Sequence, residues 1–232
     1  MNKETIIISL GGSLVAPSDI DLGFLKNFKH SLSRYTGSSA KPGQKYQFFI
    51  VVGGGKTARN YQKALLEFGA KSSDRDWIGI SATKLNAEIV KQMFAGNVYD
   101  KIVTDPNKKV KTNKDVIIGA GWKPGWSTDY DAVLIAKNHN IKTIINLTNT
   151  DYVYDKNPSK FPDAKSLKEV DWKSFERIVG DKWLPGLSMP FDPRASKLAA
   201  SLKLKVIMIN GKNLERLEDF LNNKPFIGTT IQ

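Results

Sequence analysis

Three strand-like segments of this chain run directly into glycine, and this repetition constrains the fold more than any other feature. The segments span residues 5–10, 46–52 and 115–119, and they are rich in β-branched and aromatic side chains. They lead into Gly11-Gly12-Ser13, Gly53-Gly54-Gly55 and Gly119-Ala120-Gly121. Because ligands of open α/β sheets bind at the carboxyl ends of the strands, we expect these loops to meet at one site.

Segments of helical periodicity lie between the strands. A helix from about Thr57 has Ala58, Tyr61, Leu65 and Phe68 on one face, and the next is marked by Ile78, Ala82, Leu85, Ile89 and Met93. Further strands are predicted over residues 142–147 and 205–209, and a closing helix over residues 214–221. The alternation favours an α/β fold with a mainly parallel sheet covered on both faces. No linker interrupts the pattern, so we expect one domain over residues 1–232.

Composition excludes several classes of function. Cysteine is absent, which excludes disulfides, thiolate catalysis and cysteine metal sites. The only histidines, His30 and His139, are interpreted as surface residues, and no metal site is predicted. No apolar run approaches the ~20 residues of a membrane span, and the N-terminal residues lack a signal-peptide pattern. We therefore expect a cytoplasmic protein with no membrane partner.

The net charge of +12 has two interpretations. A basic chain is typical of nucleic-acid-binding proteins, but no helix-turn-helix, zinc-finger or RNP signature accompanies the lysines. The lysines are spread along the chain and also suit a solvated surface that attracts anionic substrates. We expect no nucleic-acid partner.

Four polar segments carry the candidate chemistry. Three glycines followed by Lys56 and Arg59 place backbone donors and positive charge at a helix start, which suits phosphate, although a flexible loop explains them too. Residues 119–129 combine glycines, a lysine and hydroxyls with two tryptophans, and helix capping alone explains Ser127, Thr128 and Asp129. Asp151 follows a strand and suits Mg²⁺-bound phosphate or a plain turn. Lys197 lies about one turn into a helix that begins at Asp192-Pro193.

The order of these motifs resembles the amino-acid kinase family, and within it the archaeal-type UMP kinases. The resemblance covers residues 6–231, and it rests on six motifs in the family's order: Ile-Ser-Leu-Gly-Gly-Ser-Leu, Val-Val-Gly-Gly-Gly-Lys-Thr-Ala-Arg, Asp-Trp-Ile-Gly, Lys-Pro-Gly-Trp-Ser-Thr-Asp, Thr-Asn-Thr-Asp-Tyr-Val-Tyr and Asp-Pro-Arg-Ala-Ser-Lys. It implies a three-layer α/β/α sandwich, ATP carried with Mg²⁺ as phosphoryl donor, UMP as acceptor, and a homohexamer built as a trimer of dimers.

The resemblance also implies a role for individual residues. The ATP-binding positions are Gly12, Ser13, Gly55, Arg59, Thr148, Asn149, Tyr154 and Asn157. The UMP-binding positions are Gly54, Asp76, Trp122, Lys123, Pro124, Gly125, Trp126, Ser127 and Thr128. Asp151 matches an organising aspartate and Lys197 a nearby lysine, and with Gly12 and Gly54 they form the expected catalytic set.

The chain also departs from the family's pattern. Ser9 stands where many members have lysine, Asn157 replaces an aspartate, and Tyr152 takes a glycine position. Trp122 and Trp126 replace smaller or polar residues. Three alternatives therefore stay open: a same-fold kinase for isopentenyl phosphate or carbamate, a nucleotide-binding oxoanion-storage protein, and a nucleic-acid-binding module.

Overall fold

A computed structural model describes residues 3–37, 40, 45–180 and 189–232. Its described part contains a seven-stranded sheet in the order β3-β2-β1-β4-β8-β9-β7 and a two-stranded sheet of β5 and β6. The strands are β1 (Glu4–Leu10), β2 (Tyr46–Val52), β3 (Val116–Gly119), β4 (Thr143–Thr148), β5 (Val153–Tyr154), β6 (Ser166–Leu167), β7 (Glu169–Val170), β8 (Lys205–Asn210) and β9 (Thr229–Ile231). The helices are α1 (Gly12–Val15), α2 (Leu22–Ser33), α3 (Gly55–Glu67), α4 (Ser72–Met93), α5 (Thr128–His139), α6 (Trp172–Val179), α7 (Pro193–Ser201) and α8 (Glu215–Leu221).

The central strands pair in parallel, as the sequence predicts. β1 pairs with β2 and β4, β2 with β3, and β4 with β8, all in parallel, whereas β9 runs antiparallel to β8. The order of the strands reverses direction at β1, because β2 lies on one side of it and β4 on the other. Such a switch point opens a crevice at the carboxyl ends of the strands.

Alternation along the strands builds two hydrophobic cores, one on each face of the sheet. In β1, Ile6, Ile8 and Leu10 face the core formed with α2, α4 and α8. Ile7 faces the opposite core, formed with α5, α6 and α7. Both faces are covered by helices, so the expected three-layer arrangement is confirmed.

Helix α3 departs from the expected packing. It begins at Gly55, two residues before the predicted start, and it packs on α4 and α1. Of the four residues predicted to share one face, Ala58 alone is buried, whereas Tyr61 is 59% exposed and Phe68 84% exposed. In α4, Leu85 is also exposed. Periodicity locates these helices but does not say which side meets the sheet.

Some shorter elements were not predicted, and the position of one histidine was interpreted wrongly. Strands β5, β6, β7 and β9 and helices α1 and α6 are additions to the predicted pattern. The interpretation of His139 as a surface residue is wrong: its ring lies edge-on to Phe49, with the ring centroids 5.7 Å apart. Burial lowers the pKa of His139. His30 is exposed, as expected. In the described chain, no helix is long and apolar enough to cross a membrane.

Candidate functional site

The first two glycine loops, residues 11–13 and residues 53–55, interlock backbone to backbone. The Gly11 N–H donates to the Leu147 carbonyl of β4, and the Gly53 N–H donates to the Leu10 carbonyl of β1. A Cβ atom on Gly12 would lie 2.6 Å from the carbonyl carbon of Gly53 and would overlap the backbone nitrogen of Gly55. These contacts make β1, β2 and β4 end in one rigid unit of backbone.

The start of α3 is fixed by the same unit. Gly55 has a φ of +63°, and a Cβ there would lie 2.8 Å from the Ala16 carbonyl oxygen, so both conformation and space require glycine. The Lys56 N–H donates to the Ala16 carbonyl, and the Asn86 amide of α4 donates to the Gly53 carbonyl. The first N–H groups of a helix lack intrahelical acceptors, so Gly54 and Gly55 present donors at this point. Arg59 is exposed one turn further along α3.

The β3–α5 loop, residues 120–127, is the third glycine-rich segment at this edge of the sheet. The Thr83 hydroxyl of α4 accepts from the Gly121 N–H at 2.9 Å, and Asp131 Oδ2 accepts from the Trp122 N–H at 3.1 Å. Asp76 Oδ2 of α4 accepts from the Gly125 N–H at 2.8 Å. Asp76 therefore lies against the loop that the family resemblance also assigns to UMP, and one of its oxygens accepts a hydrogen bond there.

The two tryptophans of this loop belong to a cluster of rings and cations. The Trp126 ring lies 4.3 Å from the Tyr130 ring and 6.0 Å from the Trp122 ring, centroid to centroid. Lys123 Nζ lies 3.9 Å from the Trp122 ring centroid, and Arg194 Cζ lies 5.5 Å from that of Trp126. Lysine and arginine over indole rings make favourable cation–π contacts. The β3–α5 loop is therefore packed in part by its own side chains.

Three carboxylates lie behind this loop, and sequence reasoning missed their association. Asp129 Oδ1 accepts from the Ser9 hydroxyl at 2.9 Å, and its Oδ2 accepts from the Asp192 N–H at 3.3 Å. Burial and the charge of Asp192 raise the pKa of Asp129 to about 6. Burial and the charges of Asp129 and Asp192 raise the pKa of Asp131 to about 7.

The capping interpretation of residues 127–129 is right only in part. The Ser127 hydroxyl caps α5 by accepting from the Tyr130 N–H at 3.2 Å. Asp129 instead joins β1 to the start of α7, where Asp192 caps the helix through the N–H groups of Arg194 and Ala195. Asp129 is the second residue of α5, a position where an acid is ordinary, so the sequence carries no signal for its contact with β1.

A cavity of about 430 Å³ lies beyond the end of β4. Its lining includes four of the residues assigned to the ATP nucleoside, namely Thr148, Asn149, Tyr154 and Asn157. The volume is in the range of small-molecule sites. The structure therefore brings these four positions together around one space.

Asp151 and Lys197 are the two side chains of the expected catalytic set that carry charge, and Asp151 contacts α8 and β8. The side chain of Asp151 is 44% exposed and forms an ion pair with Arg216 of α8, with 2.6 Å between Oδ1 and Nη1. Asn210 of β8 also donates to Asp151, and these contacts lower the pKa of that carboxyl. Lys197 is exposed on α7. The predicted organising role of Asp151 stays a prediction, and Asp129 is the aspartate in contact with β1.

Known proteins resemble this chain over nearly its whole length. A model of the Amino acid kinase family matches residues 4–210. Uridylate kinase of Pyrococcus abyssi is 31% identical over 231 residues, which cover 98% of this chain and 99% of that relative. Uridylate kinase of Thermoplasma volcanium is 32% identical over 233 residues, covering 99% and 98%.

Solved structures agree with this assignment. The crystal structure of uridylate kinase from Archaeoglobus fulgidus has a TM-score of 0.82 at 29% identity and covers 98% of this chain and 99% of its own. UMP kinase from Bacillus anthracis has a TM-score of 0.78 at 19% identity, which supports the fold alone. The matched residues include both interlocked glycine loops, the β3–α5 loop and the start of α7. The chain therefore belongs to the amino acid kinase family.

Proposed function

We propose that this protein is a nucleoside monophosphate kinase that transfers the γ-phosphoryl group of ATP to UMP and releases UDP and ADP. One observation carries the proposal: the strand order β3-β2-β1-β4 arranges the β3–α5 loop, the two interlocked glycine loops and the 430 Å³ cavity side by side. An acceptor at β3 and a donor nucleoside at β4 would meet their phosphates over the glycine loops. Uridylate kinase relatives of nearly equal length support the same reaction.

The reaction requires positioning of the substrates and neutralisation of their charge more than it requires a general base. The UMP phosphate is already an anionic nucleophile, so in-line attack on the γ-phosphorus requires no strong proton acceptor. Backbone N–H groups at Gly12, Ser13 and Gly55 would face the charge that develops on the transferring oxygens. The cationic side chains of Arg59 and Lys197 are candidates to approach the phosphates when both substrates are bound.

Mg²⁺ is expected to enter with ATP as its phosphate complex. When bound, it would neutralise charge on the phosphates and help to hold them in position. Asp192 Oδ2 is buried, and it has no hydrogen-bond partner among the described residues. Its carboxylate chemistry fits a hard cation or the water shell of one, so Asp192 is the residue proposed to help hold the ion.

We also propose that the chain works as one domain in a homohexamer in the cytoplasm. The two hydrophobic cores share the strands of the central sheet, which supports a single folding unit. The outer face of α3 and α4 carries large exposed apolar side chains, including Phe68, Trp77 and Leu85. Exposed apolar surface of this kind supports contact with another copy.

The test is ADP release with Mg-ATP and a panel of acceptors: UMP, CMP, dTMP, AMP and isopentenyl phosphate. We expect selective turnover of UMP, because Asp76 and the β3–α5 loop suit a nucleotide with a ribose and a phosphate. Preference for isopentenyl phosphate would contradict the proposal. Nucleotide binding without turnover of any acceptor would favour the storage alternative.

Asp76→Ala is the variant that connects this result to the site. We expect UMP binding to fall far more than ATP binding, because Asp76 contacts the β3–α5 loop and lies away from the cavity beyond β4. Asp74→Ala is a matched control, since Asp74 is an exposed acid in the first turn of the same helix. Equal losses of affinity for UMP and ATP would mean that Asp76 is wrongly assigned to the UMP half of the site.

A further inference from the structure

Gly125 is the point at which two helices from outside the β3–α5 loop hold the loop. Asp76 of α4 accepts from the Gly125 N–H, and Arg194 Nη2 of α7 donates to the Gly125 carbonyl. Gly125 has a φ of +82°, so the chain turns here in a conformation that favours glycine. No heavy atom lies within 4 Å of a Cβ placed on Gly125. The space that a side chain would occupy at Gly125 is therefore open, and hydrogen bonds to both helices hold its backbone.

Arg194 makes a second contact with the next residue of the loop. Its guanidinium carbon lies 5.5 Å from the Trp126 ring centroid. The Trp126 ring also lies 4.3 Å from the Tyr130 ring and 5.3 Å from Lys123 Nζ. A guanidinium group can stack on an indole ring while its N–H groups stay available for hydrogen bonds. One side chain therefore contacts both the backbone and the ring at the tip of the loop.

The backbone of Arg194 is held at the start of α7. Its backbone N–H donates to Asp192 Oδ1 at 2.6 Å, in the cap of α7. The Asp192 N–H donates to Asp129 Oδ2 at 3.3 Å, and Asp129 accepts from the Ser9 hydroxyl of β1. The side chain thus extends from a helix start that is tied to the strand beside the glycine loops.

We propose that Arg194 is a positioning residue that holds the β3–α5 loop in the shape that receives the acceptor nucleotide. It acts through Gly125 and Trp126 and need not touch the reacting phosphates. The proposal rests on the proposed function, because it assigns the acceptor to this loop. It also gives Trp126 a role in packing the loop.

The contacts of Arg194 with Gly125 and Trp126 are called the clamp below. Loss of the clamp is expected to raise the KM for UMP much more than the KM for ATP. In Arg194→Ala, we expect the KM for UMP to rise about tenfold, equivalent to about 1.4 kcal/mol. The KM for ATP should stay within about twofold of the wild-type value, since the cavity beyond β4 is lined by other residues. Arg194→Lys keeps the charge and one donor but loses the planar fork, so we expect an intermediate KM for UMP.

Hydrogen exchange gives a second measurement that does not depend on turnover. The N–H groups of Gly121, Trp122 and Gly125 are hydrogen-bonded in the wild-type chain. In Arg194→Ala, we expect the peptide over residues 121–127 to exchange at least about tenfold faster. Peptides of β1 and β2 should exchange at the wild-type rate, which also establishes that the variant is folded. Arg177→Ala is the matched control, since Arg177 is an exposed arginine near the end of α6.

The outcomes separate this proposal from the proposed function. UMP turnover by the wild type, with unchanged exchange and an unchanged KM for UMP in Arg194→Ala, would overturn the clamp and leave the function standing. An equal rise in the KM values for UMP and ATP would also overturn it. Faster exchange in the variant of a protein that does not phosphorylate UMP would uphold the clamp and overturn the function.

Discussion

Asp131 makes the stability of this protein depend on pH. Its side chain is 1% exposed, and Oδ1 has no partner within the described chain. Burial and neighbouring carboxylates raise its pKa from 3.8 to about 7. The folded chain therefore retains a proton that the unfolded chain releases. The stabilisation from this proton is complete below about pH 4 and is lost as the pH rises through about 7.

Asp131→Asn should remove the part of this pH dependence that Asp131 causes. We expect the variant to be more stable than the wild type at pH 8 by about 2 kcal/mol. One pKa unit corresponds to about 1.4 kcal/mol, and only part of the pKa shift is counted because Asp131 shares its charge with the neighbouring carboxylates. The difference should shrink toward pH 5, as the wild-type carboxyl becomes protonated in the fold. Urea unfolding at the two pH values measures it. Asp100→Asn, an exposed aspartate, is the control, and the same pH slope in wild type and Asp131→Asn would contradict the expectation.

At the scale of elements, the interlocked glycine loops place the start of α3 over the end of β1. The second loop reaches α1 through the Lys56 N–H, which donates to the Ala16 carbonyl at 2.9 Å. It also reaches α4, because the Asn86 amide donates to the Gly53 carbonyl. Hydrogen bonds that reach α1, α4, β1 and β4 leave the backbone of the two loops little freedom to rearrange. Substitution within this unit should therefore affect the site before it affects the cores.

Gly12→Ala tests this packing. A Cβ at residue 12 would overlap the backbone of the second loop, so the two loops must separate. We expect at least a hundredfold loss of ATP affinity, measured by calorimetry, together with a lower melting temperature. Gly23→Ala is the control, because its Cβ would meet only Asp21 Oδ1 at 3.4 Å, an ordinary contact. Wild-type affinity in Gly12→Ala would mean that the loops do not bind the donor phosphates.

The elements that the sequence predicts well are those with a strong local pattern. Strands β1, β2, β4 and β8 are continuous apolar runs, and α7 has both its cap and its proline. β9 has three residues and pairs with a strand more than 20 residues away, so no local pattern defines it. Helix α6 did carry a signal, since Asp171 caps it and Trp172, Phe175 and Val179 are buried at helical spacing.

The site was predictable to the level of loops but not of side-chain partners. Strand ends and glycines locate Gly12 and Gly55, because parallel topology brings strand ends together. Asp76 lies inside α4, and only the family resemblance points to it. The contact between Ser9 and Asp129 joins residues 120 positions apart, and the ion pair of Asp151 with Arg216 joins residues 65 apart. Such contacts depend on how helices rotate over the sheet, which local periodicity does not determine.

At the scale of the whole molecule, α3 and its C-cap leave two aromatic side chains exposed, Tyr61 and Phe68. Tyr61 and Phe68 are seven residues apart, about two helical turns, and therefore lie on the same side. Both are largely exposed. The net charge of +12 would oppose association of two copies, so an apolar contact must outweigh that repulsion.

The double variant Tyr61→Glu/Phe68→Glu tests whether this face joins copies of the chain. We expect light scattering after size exclusion to give a smaller assembly than the wild type, because the added carboxylates would be buried at the contact. Phe161→Glu is the control, since Phe161 is an exposed aromatic residue outside α3 and α4. An unchanged mass in the double variant would exclude this face as the contact.

The strand order β3-β2-β1-β4 sets the distance between the two ends of the site. Neighbouring strands lie about 4.8 Å apart, so the end of β3 and the end of β4 are separated by three spacings, about 14 Å. A uridine and an adenosine held at the two ends could be joined only by a bridge of several phosphates. Under the proposed function, the number of strands between the two nucleosides would set the length of the phosphate chain that fits.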